Sequence, residues 1–336
     1  MTECSCDFIL PSKEGWEKHY DNCSLMWSKR SETSYPKNKD GSLCLPNKNL
    51  EKLDRDVLYH LSFDTTHYNL PAMFGDVRFV CMGGTKQRMK ELAVHVADVL
   101  KIDYKPVNLT KSSHRYAMYK VGPVISVNHG IGISSMTILF QEILKLLYYA
   151  KAKDPIIFRI GTSGGLKIPA GSVVISSWGL NGTLEKTYDI PVLGKIHRTP
   201  AIFDKRLAQE LQSLVTDADG FETFSGGTMA ADDFYRGQAR VDGPFCAYTE
   251  EEKLAFLRKL FDMGVRNIEM EATAFAALAR EAALRAADVC VTLLDRLEGD
   301  QVIQNKVTLM KWQERPITLV GRYISKYYEN NLHKKY

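Results

Sequence analysis

The chain has 336 residues and a mass of 38.0 kDa, with 45% hydrophobic and 25% charged residues. Those values exclude a fibrous or wholly disordered chain and allow one large or two ordinary domains. A net charge of +4, from 44 basic and 40 acidic residues, is too small to point to nucleic acid or an anionic membrane as partner.

No apolar run reaches the roughly 18 residues of a membrane span, and the N-terminus lacks the layout of a secretory signal, so a cytoplasmic protein is expected. Seven cysteines, an odd number, argue for reduced thiols rather than a disulfide framework. Residues 1–52 read as an N-terminal tail. Within it, residues 28–50 are polar and carry Pro36, Gly41 and Pro46, the composition of a flexible linker. Cys4, Cys6, His19 and Cys23 have a spacing like that of a zinc finger, with Leu10 and Trp16 as apolar fillers. The first interval is one residue, shorter than the two to four that tetrahedral zinc prefers, so a largely disordered tail is the expectation and a structural zinc site the alternative.

From residue 53 to 336 the pattern is that of one domain. Residues 77–82 predict a strand ended by Gly83-Gly84, followed by a helix over 86–100. Residues 121–127 predict a second strand, closed by His129-Gly130-Ile131-Gly132. Ile138, Leu139, Ile143, Leu146 and Leu147 recur at helical spacing within 135–150. Residues 156–160 predict a third strand, with a turn over Gly161-Thr162-Ser163-Gly164-Gly165, and residues 172–176 a fourth. Further on, a strand over 265–269 leads into a helix over 273–283, and 288–294 reads as another strand. Strand, glycine turn and helix in repetition predict a parallel or mixed sheet flanked by helices, with ligands bound at the carboxyl ends of the strands.

Arg159 interrupts an apolar strand, where a guanidinium requires either a carboxylate or an anionic ligand. The hydroxyls and glycines of 161–165 beside it supply parts of an oxyanion cradle. Gly83-Gly84 followed by Arg88, one turn into a helix, offers a second half of that cradle, although such a turn is also common as plain structure. The turn matches neither the G-x-G-x-x-G fingerprint nor the phosphate loop, which weakens nicotinamide and ATP chemistry. Glu269-Met270-Glu271 opens a helix, where carboxylates either complement the macrodipole or accept hydrogen bonds from sugar hydroxyls. Gln238 and Arg240 carry the donors and acceptor that would read a pyrimidine edge, with Phe234 to pack on the ring.

The segments LYHL (58–61), NLPAMFGDVRFVCMGG (69–84), RYAMYKVGPV (115–124), IGTSGG (160–165), DFYRGQARVDG (233–243), VRNIEMEA (265–272) and VCVTLLDRLEGDQ (289–301) resemble the animal uridine phosphorylases. The resemblance implies a three-layer α/β/α sandwich of the nucleoside phosphorylase type, with a distorted mixed sheet partly closed into a barrel. It implies reversible conversion of uridine and phosphate to uracil and ribose 1-phosphate in pyrimidine salvage, with phosphate as a substrate and no metal or organic cofactor. Phosphate would be bound by Gly84, Arg88, Arg159 and Thr162, with Arg115 from the neighbouring subunit of a homodimer. Ribose would be held by Met270 and Glu271, with His60 reaching over from the partner. Uracil would be read by Gln238 and Arg240 and packed by Phe234, and Arg296 would lie near a lid over the base. Arg159, Gln238 and Arg240 would carry catalysis.

Two further readings stand beside this one. A purine nucleoside phosphorylase is disfavoured by the Gln238-x-Arg240 pair and by Ala272 and Thr273, which stand where the purine branch is expected to carry an acid. A weakly active or inactive nucleoside-binding paralogue that acts through its N-terminal tail is the other, because Arg236, Ala239 and Ala272 depart from the residues usual in the animal relatives and Cys4, Cys6, His19 and Cys23 have zinc-finger-like spacing.

Overall fold

The computed structural model describes residues 38–332. In chain order the elements are β1 (Val57–Leu58), β2 (Phe63–Asp64), α1 (Leu70–Phe74), β3 (Phe79–Gly83), α2 (Lys86–Leu100), β4 (Met118–Val121), β5 (Val124–Asn128) and α3 (Ile133–Ala150). There follow β6 (Ile156–Gly165), β7 (Val173–Leu180), β8 (Thr187–Val192), β9 (Lys195–Pro200), α4 (Lys205–Gln212), β10 (Thr223–Ala230), α5 (Glu250–Asp262), β11 (Val265–Glu269), α6 (Ala272–Glu281), β12 (Arg285–Asp295) and α7 (Lys306–Leu332).

Eight strands form one mixed sheet in the order β11-β10-β7-β12-β6-β3-β5-β4, and β11 also pairs with β6. That extra pairing closes β6, β11, β10, β7 and β12 into a five-stranded ring, from which β3, β5 and β4 extend as an open arm. Side chains alternate along the central strands, so each face has its own core. Val80, Met82 and Ile157 pack with residues of α1, α3 and α6 on one side, and Phe79, Cys81 and Phe158 with residues of α2, α4 and α7 on the other. Full burial of each of these large side chains stabilises the fold by ~1.5–3 kcal/mol. Helices thus cover both faces, which is the α/β/α sandwich expected.

β6 runs longer than expected. Residues 161–165 continue the strand, Gly161 to Ser163 pairing with Cys290 to Thr292 of β12, and Gly164 and Gly165 with β11. They contain glycine because a Cβ at 161 would stand 2.8 Å from the Cys290 Sγ, and one at 164 would stand 2.7 Å from the Arg296 Cγ. β6 leaves β3 after Ile160 and meets β11 only at Gly164. Between those points one edge of β6 has no strand beside it. A second departure lies at 121–127, where a hairpin joins the antiparallel β4 and β5 through Gly122, whose φ is +48°. The packed region also begins before residue 53, since Leu43 is buried against the core formed with α1 and α3, and Ser42 bridges to Lys153. Cys4, Cys6, His19 and Cys23 lie outside the described residues.

Among the described residues no helix is long and apolar enough to cross a membrane.

Candidate functional site

A pocket of about 220 Å³ opens where β6 parts from β3, at the carboxyl ends of β3, β5, β6 and β11. Ten residues singled out in the sequence line it: Gly84, Arg88, Arg159, Thr162, Phe234, Gln238, Arg240, Met270, Glu271 and Arg296. They come from five separate stretches of chain and meet because parallel strands end together.

Thr85 caps α2, its hydroxyl accepting from the Arg88 amide at 3.3 Å, and this sets Arg88 on the first turn. The guanidinium is buried, and its polar partner is the neutral Gln313 of α7, whose Oε1 accepts from Nε at 3.1 Å and from Nη2 at 2.7 Å. Among the described residues no carboxylate forms an ion pair with it. A buried cation at the positive end of a helix is doubly unfavourable without an anion. Burial lowers its pKa to about 10, so it is charged at neutral pH. Nη1 remains for a ligand and lies beside Gly84, where a Cβ would stand 3.8 Å from Nη1 and 3.3 Å from the Gly130 carbonyl.

Arg159 meets both of the alternatives open to it. It is an internal ion pair, with Nη1 2.8 Å from Asp288 and Nη2 2.8 Å from Glu269 and bonded to Glu271, and it also lines the pocket. Its Nε has no protein partner. Three buried carboxylates around one cation cannot all be stabilised as anions. Burial holds Glu269 above the usual carboxylate range. Burial would also raise Glu271, but Arg159 and the surrounding hydrogen bonds bring it below its ordinary value. The Oε atoms of Glu269 accept from the amides of Glu271 and Ala272 at 2.8 and 2.9 Å, which fixes the Glu-Met-Glu turn. From Asp288 a buried chain of hydrogen bonds runs through Ser176, Thr228 and Asn267 to Ser163, tying β12 to the open edge of β6.

At the other end of the pocket, Arg240 donates to Asp242 at 2.9 and 2.8 Å and to the Asp300 carbonyl at 2.5 Å. Its guanidinium lies 4.4 Å over the Phe234 ring. Gln238 is held by Arg296, which donates to its Oε1 at 3.3 Å and to its carbonyl at 2.8 Å. Arg296, expected near a lid, is in fact fully buried, anchored to Asp300 at 2.9 Å. Asp300 also accepts from the Val241 amide and pairs with Lys253 at 3.1 Å, so one acid joins the 234–242 loop, the 296–301 loop and α5.

His60 and Arg115 do not line this pocket. His60 donates from its amide to Glu142, and its Nδ1 lies 2.7 Å from the same carboxylate. Its ring is 6.2 Å from that of Tyr116, next to the exposed Arg115. Ile131, at the pocket mouth, is 77% exposed.

The departures at 236 and 272 bear on the pocket less than the sequence suggested. Arg236 is exposed, its guanidinium 5.8 Å from the Phe245 ring. Ala272 and Thr273 are fully buried outside the pocket lining, so an acid expected there has no bearing on the base in this geometry. Ala239 sits between Gln238 and Arg240 with φ +53°, a conformation that costs ~1–2 kcal/mol for a residue with a Cβ. Sequence reasoning missed Gln313, Asp288, Asp300 and His129, all of which touch the site from distant segments. Only His129, in the H-G-I-G stretch after β5, carried a local signal.

Residues 78–325 match the phosphorylase superfamily. Mouse uridine phosphorylase 1 is 45% identical over 285 residues, covering 84% of this chain and 92% of the mouse protein. A Schistosoma mansoni protein named inactive uridine phosphorylase B is 37% identical over 83% of this chain and 95% of its own length. The crystal structure of uridine phosphorylase from Schistosoma mansoni in complex with uracil superposes with a TM-score of 0.80 at 38% identity, covering 83% of this chain and 98% of that one.

Proposed function

The chain belongs to the phosphorylase superfamily, and on that premise we propose that it catalyses reversible phosphorolysis of uridine to uracil and ribose 1-phosphate in pyrimidine salvage. The observation that carries this reading is Arg88, a buried cation at a helix N-terminus with only a neutral amide as partner, in the same pocket as Gln238 and Arg240. An oxyanion at one end and a pyrimidine at the other are the two ligands that uridine phosphorolysis brings together.

In the proposed complex, phosphate lies against Gly84, Arg88 Nη1, Arg159 Nε and Thr162. Ribose rests on Met270 and Glu271. Phe234 packs on uracil, and the Gln238 amide donates to a ring carbonyl while its Oε1 keeps a lone pair for the imide N–H. Breaking the glycosidic bond gives a sugar with oxocarbenium character, which phosphate stabilises from below and then attacks. Fixing the nucleophile supplies ~7–11 kcal/mol in favourable cases. The leaving uracil gathers negative charge, which Arg240 and Gln238 stabilise where water is excluded, a contribution of ~2.7–4 kcal/mol per donor in comparable sites. The reaction needs no metal or organic cofactor, because both developing charges meet fixed groups.

The protein acts in the cytoplasm as a homodimer, with His60 and Arg115 of a second copy completing the ribose and phosphate ends. The position of both residues outside the pocket lining and the exposed Ile131 at its mouth support that arrangement. A second reading, a nucleoside-binding protein without turnover, is favoured by one observation: the Nη groups of Arg159 are already engaged by three carboxylates.

Chromatography of reactions with uridine, with and without inorganic phosphate and with inosine as control, tests both. Uracil and ribose 1-phosphate formed only with phosphate are expected. Uracil released without phosphate, or turnover of inosine alone, refutes the proposal, and uridine bound without turnover selects the second reading.

A further inference from the structure

His129 follows β5 and lines the pocket, yet it is 1% exposed and neither ring nitrogen has a hydrogen-bond partner in the protein. A buried polar atom without a partner costs ~1–3 kcal/mol unless a ligand satisfies it. The His129 amide donates to the Gly83 carbonyl at 2.7 Å, and the carbonyl of Gly130 packs against Gly84. The residue is therefore tied to the Gly83-Gly84 turn, and the charges acting on its ring include Arg88 and Arg159.

We propose that His129 is a phosphate-binding residue, one ring nitrogen accepting from the anion's P–OH. This rests on the phosphorolysis reading above. The charged groups facing the ring are Glu271 of the Glu-Met-Glu turn, Arg159 of β6 and Arg88 of α2. Both arginines only donate, and Glu271 is engaged by the Gly132 amide and Arg159. Monohydrogen phosphate offers acceptor oxygens and one hydroxyl, so it needs an acceptor in its site as well as donors. Burial and the two arginines oppose the imidazolium and lower its pKa to about 3, so at neutral pH the ring carries one donor and one acceptor.

Steady-state kinetics of His129→Phe and His129→Asn, with phosphate and uridine varied separately, test the assignment. His129→Phe is expected to raise the phosphate KM tenfold or more with the uridine KM within twofold, and His129→Asn, which keeps a donor and an acceptor, to recover most of the loss. A uridine KM raised equally or alone, or no change in either, overturns the proposal. A direct readout is independent of turnover. In wild-type protein labelled with ¹⁵N-histidine, the ring signals missing from His129→Phe are expected to shift saturably on titration with inorganic phosphate alone. Signals that stay fixed through saturation overturn the proposal even if uridine is turned over. If uridine is not turned over but the shift appears, the phosphorolysis reading fails while the phosphate contact stands.

Discussion

Replacing Arg159 by methionine would leave Glu269, Glu271 and Asp288 around an apolar side chain with no cation among them. These carboxylates are 5% exposed or less, so solvent does not screen them. Removing one partner of a buried ion pair costs ~3–5 kcal/mol, and here a single cation serves three acids, so that range is a lower bound at pH 7.5. At ~2–4 °C per kcal/mol for a domain of this size, the melting temperature should fall by roughly 6–20 °C. In the variant the carboxyls titrate above their unfolded range, so the folded state holds protons that the unfolded chain has released. The deficit should therefore shrink as pH falls from 7.5 toward 5, and adding Glu269→Gln should recover part of it. Loss of activity would follow whether Arg159 binds phosphate or only holds the acids in place. Calorimetry at several pH values isolates the second contribution. A melting temperature within 2 °C of wild type, or a deficit that grows in acid, would refute the cluster as the source of stability.

Gln313→Leu should free Arg88 from its amide partner and raise the phosphate KM by roughly ten- to a hundredfold, from the ~1.5–3 kcal/mol of hydrogen bonding to a charged group, with the uridine KM unmoved. Equal changes in both constants would mean a general loss of structure. Gly164→Ala should push against Arg296 and destabilise by ~1–3 kcal/mol, lowering kcat/KM for uridine through Gln238. An unchanged kcat/KM would disconnect Arg296 from base reading. Ala239→Gly should stabilise by about 0.5–1 kcal/mol in chemical denaturation, the left-handed cost of ~1–2 kcal/mol less ~0.5–1 kcal/mol of added chain entropy. A loss of stability would show that the Ala239 methyl makes contacts worth more than its strain. Acid should destabilise the protein as pH falls from 6.5 toward 3, because the unfolded chain takes up a proton that buried His129 refuses. His129→Asn should flatten that part of the profile, and an unaltered profile would assign it elsewhere.

The parts legible in the sequence were those encoded locally. Helix α2 was bounded at Lys86 and Leu100 because Thr85 and the apolar spacing mark it within one segment. Arg159 stood out because it interrupts an apolar strand, and Arg88 because it opens a helix after Gly83-Gly84. The glycine-rich 161–165 misled because glycine marks a turn and a crowded strand alike, and what distinguishes them is the Cys290 and Arg296 side chains more than 125 residues away. The partners that orient the site follow the same rule. Gln313 meets Arg88, Asp288 meets Arg159 and Asp300 meets Arg240 across spans that no local pattern reports. Arg159 was the intermediate case: its need for an opposite charge was readable, but three carboxylates as the answer were not.

The closure of β6 onto β11 has a consequence for how such a site diversifies. A strand in an open sheet can slip its register by disturbing one neighbour, whereas a strand in a five-membered ring drags four others with it. The floor that carries Arg159, Thr162 and Glu269 is thus mechanically locked. The wall that carries Phe234, Gln238 and Arg240 hangs instead from the 234–242 and 296–301 loops, joined through Asp300. A substitution in that wall can be absorbed by loop movement while the floor stays fixed.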